Sequence, residues 1–293
     1  MIGTMSINKN HAKAKETAKT LLEALPYIQQ FSNEYIVIKL GGSVLVEEQL
    51  KASFAVGITL CRYVGMKPIV VHGGGKEISK WMEKVGKKAT FLDGLRVTDD
   101  ETMELTEMVV SGKVNSDVVS AINQSGGRAI GLSGRSANIF SAVKLEKEDV
   151  DLGRVGKIKE VNPLLLMSLA DQGYIPVISP VSSDTLGESL NLNADNVASH
   201  IAQALNAKKL IYLTDVDGLK IENTLVKRIN IEEAKSFLGH PDVAGGMLPK
   251  LKYAIKAIEG SVSQVHMING NTEHAVLLEL LTVGGVGTLI EGS

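Results

Sequence analysis

Cysteine is almost missing from this sequence. Cys61 stands alone among 293 residues, so no disulfide forms within the chain. Its place in an apolar-periodic segment predicts a buried, inert thiol. An excess of one charge is missing too: 31 lysines and arginines face 33 acids, a formal net charge of -2. That balance gives no support to nucleic-acid binding or to a polybasic membrane anchor. No apolar run approaches the ~20 residues of a membrane span. The start, MIGTMSINKNHAKAKETAK, holds no apolar core of a secretory leader, so a cytoplasmic location is expected. The sequon Asn123-Gln124-Ser125 then reads as a chance match. Zinc-ligand spacing, a Cys/His pairing and a GxSxG elbow are missing as well; GLSGR ends on Arg135 where the elbow needs glycine. No repeat or low-complexity linker interrupts the chain.

What is present is alternation. The chain is long enough for one large core or two lobes. Short β-rich runs, YIVIKL (35–40), PIVVH (68–72), RAIGLS (128–133), YIPVIS (174–179), KLIYLT (209–214) and QVHMI (264–268), alternate with helical patterns. The helical patterns fall near 47–65, 75–86, 99–124, 163–172, 194–206, 246–260 and 273–282. Most of the runs are apolar on both faces, as strands covered on both sides must be. The expected fold class is α/β, a three-layer αβα sandwich on a mainly parallel sheet. A charge-rich, β-compatible stretch at 139–161 reads as a hairpin, and SPVSSDTLGES near 180–190 as a change of lobe. Residues 1–34 form a separable helical arm. Leu21, Leu25 and Ile28 recur at helical spacing, and Pro26 should kink the helix or make it restart. The arm either packs on its own domain or docks on another subunit.

Open α/β sheets bind ligands beyond the carboxyl ends of their strands. Gly41-Gly42-Ser43 follows the first strand, His72-Gly73-Gly74-Gly75 the second, and Thr214-Asp215-Val216-Asp217-Gly218 the fifth. Glycines there let backbone N–H groups approach an anion, although glycine also makes ordinary tight turns. HGGGK is no Walker A loop: Val70 replaces the first glycine and Glu77 the Ser or Thr. Lys39 interrupts an apolar strand, so it either snorkels or is held for a ligand. Lys76, in the first turn of an amphipathic helix, reads as a solvated charge. Arg96 in GLRVTDDET is a surface charge or a bidentate fork for a carboxylate, with Thr98 or Asp99 capping the next helix. In LNLNADNVASHIA, Asn193 is the candidate cap and Asp195 lies in the first turn. Asp215 and Asp217 either shape an Asx turn or hold hydroxyls or magnesium near a nucleotide. GGMLPK puts Lys250 at a helix start, with Pro249 at an early position. Two lysines, two glycine turns and few candidate bases suit phosphoryl transfer, which needs positioning and charge stabilisation. A carboxylate acceptor would need no general base.

From Tyr35 onward the chain resembles the amino acid kinase family. The resemblance rests on KLGGS, VHGGG, DGLRVTD, EMVVSGKVN, NLNAD, YLTDVDGL, GGMLPK and HAVLLELLTVGGVGTLI, in that order. GLRVT with NLNAD points to the branch that phosphorylates the side-chain carboxylate of N-acetyl-L-glutamate with MgATP, in arginine biosynthesis. The resemblance implies that Lys39 and Lys250 stabilise the transferring phosphoryl group and that Asp195 orients them. Gly41 and Gly42 would cradle the phosphates, with Thr214, Asp215, Asp217 and Gly218 beside the nucleotide. Gly74 and Gly75 would donate N–H bonds to the reacting carboxylate, Arg96 would grip the α-carboxylate, and Asn191 would bind other polar groups of the acceptor. It implies no organic cofactor and no resident metal.

The resemblance extends to regulation. Arginine-inhibited members carry a kinked N-terminal helix that links dimers, which implies a homo-oligomer here, a hexamer built as a trimer of dimers. His266, Glu279 and Gly285 match the arginine site. The division implied is an arm (1–34) and a kinase domain (35–293), with an acceptor lobe to about 185 and a nucleotide lobe from about 186. One departure stands: Ser133-Gly134-Arg135-Ser136 replaces the family's SGKD, and no role is assigned to it. Two alternatives stay open: a kinase for an aminoadipate group on a carrier protein, and a non-catalytic regulator that binds nucleotide or arginine.

Overall fold

A computed structural model of the chain describes residues 2–148 and 150–292, with side chains from residue 13 onward. Its centre is an eight-stranded sheet of β1 (Tyr35–Leu40), β2 (Lys67–His72), β3 (Ala129–Ser133), β4 (Ile175–Ser179), β5 (Lys209–Thr214), β6 (Arg228–Asn230), β7 (Gln264–Asn269) and β8 (Thr288–Glu291). The order across the sheet is β6-β8-β7-β5-β1-β2-β4-β3. The six strands from β7 to β3 run parallel, and β8 lies antiparallel to β7 with β6 parallel to β8. All six strands foreseen from sequence are present, within two residues of their expected ends. The short strands β6, at the sheet's edge, and β8 beside it were not foreseen.

Alternation along β1 explains the layers. Ile36, Ile38 and Leu40 point to a face where Phe54, Ala55 and Ile58 pack. Val37 points the other way, onto Val71, Leu210 and Tyr212, beneath α3 (Ala194–Ala204) and α4 (Met247–Glu259). Lys39 shares Val37's face because side chains repeat every second residue. The strand therefore aims it at the start of α3.

The stretch at 139–161 does form an antiparallel pair, Phe140–Lys144 against Val155–Val161. The Ser/Gly/Asp-rich stretch after β4 is itself a hairpin, Val181–Ser183 against Ser189–Leu192, and joins that pair as a four-stranded sheet. The pattern at 99–124 is helical throughout, but Met108–Val114 is a π-helical turn between Asp100–Glu107 and Asn115–Gln124.

The arm is one helix, α1 (Ile2–Phe31), running through Pro26. The expected restart does not occur. Proline withdraws one N–H from the ladder, but Tyr27 and Phe31 beyond it are anchored in the core. The two readings of the arm divide along the helix. Its end packs against α5 (Ala275–Leu281), while Leu21 and Leu22 stay 64% and 68% exposed. Cys61 is buried as expected, and burial pushes its thiol up to about 12.

Candidate active site

The carboxyl ends of β1, β2 and β5 meet in mid-sheet, where connections leave in opposite directions. This is the switch point at which open α/β sheets hold ligands. Lys39 stands there, 9% exposed. Its Nζ lies 2.7 Å from Oδ1 of Asp195, as an ion pair outside hydrogen-bond direction. Lys250 approaches the other oxygen: Nζ is 3.3 Å from Oδ2.

Local chemistry sets this arrangement. Asn193 caps α3 by accepting from the N–H groups of Asp195 and Asn196 at 2.8 and 3.1 Å. That fixes Asp195 in the first turn, facing inward. The Tyr212 hydroxyl donates to the Asp195 carbonyl at 3.1 Å. Lys250 sits in the first turn of α4, after Pro249, and also donates to Gly246 O at 3.2 Å. Burial works against charge on Asp195, but Lys39 and Lys250 outweigh it and hold the carboxyl below its ordinary range. One buried anion between two ammoniums leaves a surplus positive charge.

Two cavities share Lys39 in their walls. The larger, 420 Å³, is lined by Gly41, Gly42, Thr214, Asp215, Gly218 and Lys250 among others. Gly41 is required by packing, since a Cβ there would lie 2.3 Å from the Leu213 carbonyl oxygen. Gly218 adopts φ 146, and its Cβ would meet Thr288 Oγ1 at 2.5 Å. The Thr214 hydroxyl donates to Val216 O at 2.6 Å and shapes the turn after β5. Asp217 departs from the expected group: it lies outside the cavity wall, with its carboxylate taken by Lys220 at 2.7 Å and Asn269 at 2.9 Å.

The second cavity, 200 Å³, is lined by Gly73–Gly75, Arg96, Asn191 and Asp195 with Phe91 and Asn193 nearby. Arg96 is buried, not a surface charge. Its guanidinium donates to Gly75 O and Ser79 Oγ, both at 2.8 Å, and lies over the Phe91 ring at 4.6 Å. Among the described residues no carboxylate pairs with it, and burial lowers its pKa. A buried cation without a counter-ion is built to receive an anion. Asn191 donates to Thr98 Oγ1 at 3.1 Å. Gly74 caps α2 (Gly75–Lys84), and the Val110 side chain lies 2.7 Å from where its Cβ would be. The π-helical turn delivers Val110 to that spot.

Sequence reading missed the support beneath the glycine run. His72 is fully buried; its Nδ1 donates to Gly73 O at 2.8 Å and its Nε2 accepts from Asn115 Nδ2 at 3.0 Å. Asn115 spends its other hydrogen on Val177 O at 3.0 Å. The ring is neutral, with burial driving its pKa down to about 4. Lys76 is the solvated charge expected from sequence, but its stem has a direction the sequence did not show. Its side chain is more than half exposed, and its Nζ lies 3.7 Å from Asp215 Oδ2, a residue of the larger cavity's wall. The run of glycine and lysine hinted at this; the missing Ser/Thr argued against it.

His266, Glu279 and Gly285 converge on a third cavity, of 340 Å³, against Tyr27 and Phe31 of α1. Burial pushes His266 below its ordinary value, so a neutral ring donates from Nδ1 to Glu279. Burial also works against the Glu279 charge, but that bond and the Val286 N–H at 2.9 Å hold it ionised. His266 Nε2 is left with no partner. A Cβ on Gly285 (φ 55) would meet both Glu279 oxygens at 2.8 Å.

The model of the Amino acid kinase family matches residues 34–269. The chain belongs to this family. Similar family members include the acetylglutamate kinase of Methanocaldococcus jannaschii, 49% identical over 94% of this chain and 96% of its own length. The acetylglutamate kinase of Halothermothrix orenii is 47% identical over 93% and 96%. Among solved structures, N-acetylglutamate synthase from Neisseria gonorrhoeae, complexed with coenzyme A and N-acetyl-glutamate, superposes with TM-score 0.85 at 28% identity. The match covers 94% of this chain and 63% of the synthase. Carbamate kinase from Giardia lamblia bound to AMP-PNP (TM-score 0.64, 15% identity, 89% of this chain and 99% of that one) shares the amino acid kinase fold. The fold is thus the α/β sandwich expected from sequence. Among the described residues no helix is long and apolar enough to cross a membrane.

Proposed function

We propose that the chain transfers the γ-phosphoryl group of ATP to the side-chain carboxylate of N-acetyl-L-glutamate. The observation that carries this reading is the pair of cavities meeting at Lys39, with Lys250 opposite and Asp195 between them. ATP occupies the larger cavity, its phosphates on Gly41 and Gly42 with Thr214, Asp215 and Gly218 alongside, and brings magnesium with it as the substrate complex. The acceptor occupies the smaller one. Its α-carboxylate pairs with Arg96, Asn191 binds its polar groups, and its reacting carboxylate meets the N–H groups of Gly74 and Gly75. Lys39 and Lys250 neutralise charge on the phosphoryl group in flight, and Asp195 holds both ammoniums in place. The bond from phosphorus to the ADP oxygen breaks as one to the carboxylate oxygen forms. The acceptor is already ionised, so no proton moves. Most of the acceptor cavity comes from residues before about 185 and most of the nucleotide cavity from residues after it, with Gly41 and Gly42 on the nucleotide side and Asn191 on the acceptor side. Acyl hydroxamate formed with hydroxylamine, together with ADP release, tests this; activity only with a carrier-bound aminoadipate, or ligand binding without turnover, would replace it.

The third cavity supports arginine as an effector. Glu279 and the unpartnered His266 Nε2 suit a guanidinium, and Lys209, Lys227 and Arg228 on the same wall suit a carboxylate. A solved structure of the Neisseria gonorrhoeae synthase is complexed with L-arginine (TM-score 0.79, 27% identity, 94% of this chain and 65% of that one). Because α1 lines this cavity, occupancy would bear on how the arm sits. The exposed leucines of α1 fit docking on a second subunit, in a homo-oligomer assembled as a hexamer from three dimers. An acetylglutamate saturation curve that is unmoved by millimolar arginine would remove the effector reading.

A further inference from the structure

Lys76 follows the glycine run, in the first turn of α2. A cation there opposes the helix dipole, so helix formation offers it no reward. Its side chain, though more than half exposed, lies along the protein surface. Its Cγ, Cδ and Cε lie across Gly42, 3.8, 3.5 and 3.4 Å from the point where a Cβ would be. Its Nζ ends 3.7 Å from Asp215 Oδ2. The side chain thus starts on the acceptor side, spans the glycine turn after β1 and stops at the carboxylate after β5. The stem passes over Gly42 at ordinary packing distance.

The pair is weakly held. Both side chains are more than half exposed, 59% and 53%. An ion pair so open to water contributes about 0–1 kcal/mol. Its distance also exceeds that of the tight pair between Lys39 and Asp195, 2.7 Å. The ammonium is therefore free to exchange one half-solvated carboxylate for a stronger anion within reach of the same stem.

We infer that Lys76 is a third phosphate-binding cation of this site. With nucleotide present, its ammonium leaves Asp215 and contacts the phosphate oxygens lodged on Gly41 and Gly42. This rests on the reading of the chain as an ATP-dependent kinase. Lys39 and Lys250 are held by a buried aspartate and serve the phosphoryl group in flight. Lys76 is held by little and serves ground-state binding of the phosphate tail.

The experiment compares the full chain with Lys76→Met, which keeps the stem and removes the charge, and with Lys76→Arg, which keeps the charge. Calorimetry measures ATP and AMP binding without acceptor, the hydroxamate assay gives kcat and both KM values, and thermal melting reports folding. Lys76→Met should weaken ATP binding and raise its KM about tenfold, the scale of one charged hydrogen bond. AMP affinity, the KM for acetylglutamate and the melting midpoint should hold steady, and Lys76→Arg should recover most of the loss. Unchanged ATP affinity in Lys76→Met, or equal losses for ATP and AMP, overturns the assignment. A wild-type chain that neither binds ATP nor forms hydroxamate overturns the kinase reading itself, and this inference with it.

Discussion

Two buried carboxylates, Asp195 and Glu279, sit in two different kinds of site. Their side chains are 7% and 5% exposed. Asp195 lies between two ammoniums, so its group carries a surplus positive charge and receives an anion. Glu279 faces a neutral imidazole instead of a cation on its own oxygens, although Lys209 lies on the same cavity wall. Under the function proposed above, a buried acid serves a phosphoryl group in one place and a guanidinium in the other. What decides between them is the protonation of the partner, lysine or histidine.

The largest test of the contrast is Asp195→Ala. It leaves two lysines without their shared anion, one of them buried, and should cost about 3–5 kcal/mol in stability. Urea unfolding reads this, and unchanged stability would mean the lysines find another partner. Lys250→Ala should lose about 3–4 kcal/mol of transition-state stabilisation, seen mainly in kcat of the hydroxamate assay. Turnover equal to wild type would remove Lys250 from the phosphoryl path.

The histidines sharpen the same comparison, because His72 touches only neutral groups. Its folded pKa of about 4 lies below the unfolded value near 6.5. Between those pH values the unfolded chain binds the extra proton, so stability falls as pH drops from about 6.5 to 4, by up to about 3 kcal/mol. His72→Gln should flatten that part of the pH–stability curve; an unaltered slope would place the titration elsewhere. The smallest effect belongs to Gly285→Ala. Left-handed backbone and the clash with Glu279 should raise the arginine needed for half-inhibition severalfold, on the order of 1 kcal/mol. An unmoved inhibition curve would separate Gly285 from the effector cavity.

Legibility followed the range of the interactions. The central strands were readable because burial on both faces leaves continuous apolar runs. Strands β6 and β8, of three and four residues, carry too short a signal. The hairpin after β4 looked like a change of lobe because its Ser, Gly and Asp residues also suit loops. Helix α1 was expected to kink or restart at Pro26, and it does not restart; anchorage of Tyr27 and Phe31 offsets the local penalty. Lys76 was rightly read as a solvated charge, but the direction of its stem over Gly42 was not legible, because exposure says nothing about direction.

The sequence by itself determined the alternation of strands and helices, the glycine turns after β1 and β2, and a lysine set in an apolar strand. These are properties of neighbours along the chain, written in period and steric demand. Only the tertiary structure decided that Lys39, Asp195 and Lys250 form one group, that Arg96 is buried without a counter-ion, and that Asp217 turns away. The reason is the sheet order. With β1 between β2 and β5, the ends of all three strands share one crevice, and α3 and α4 are brought over it. No local pattern records which distant residues such an order places face to face.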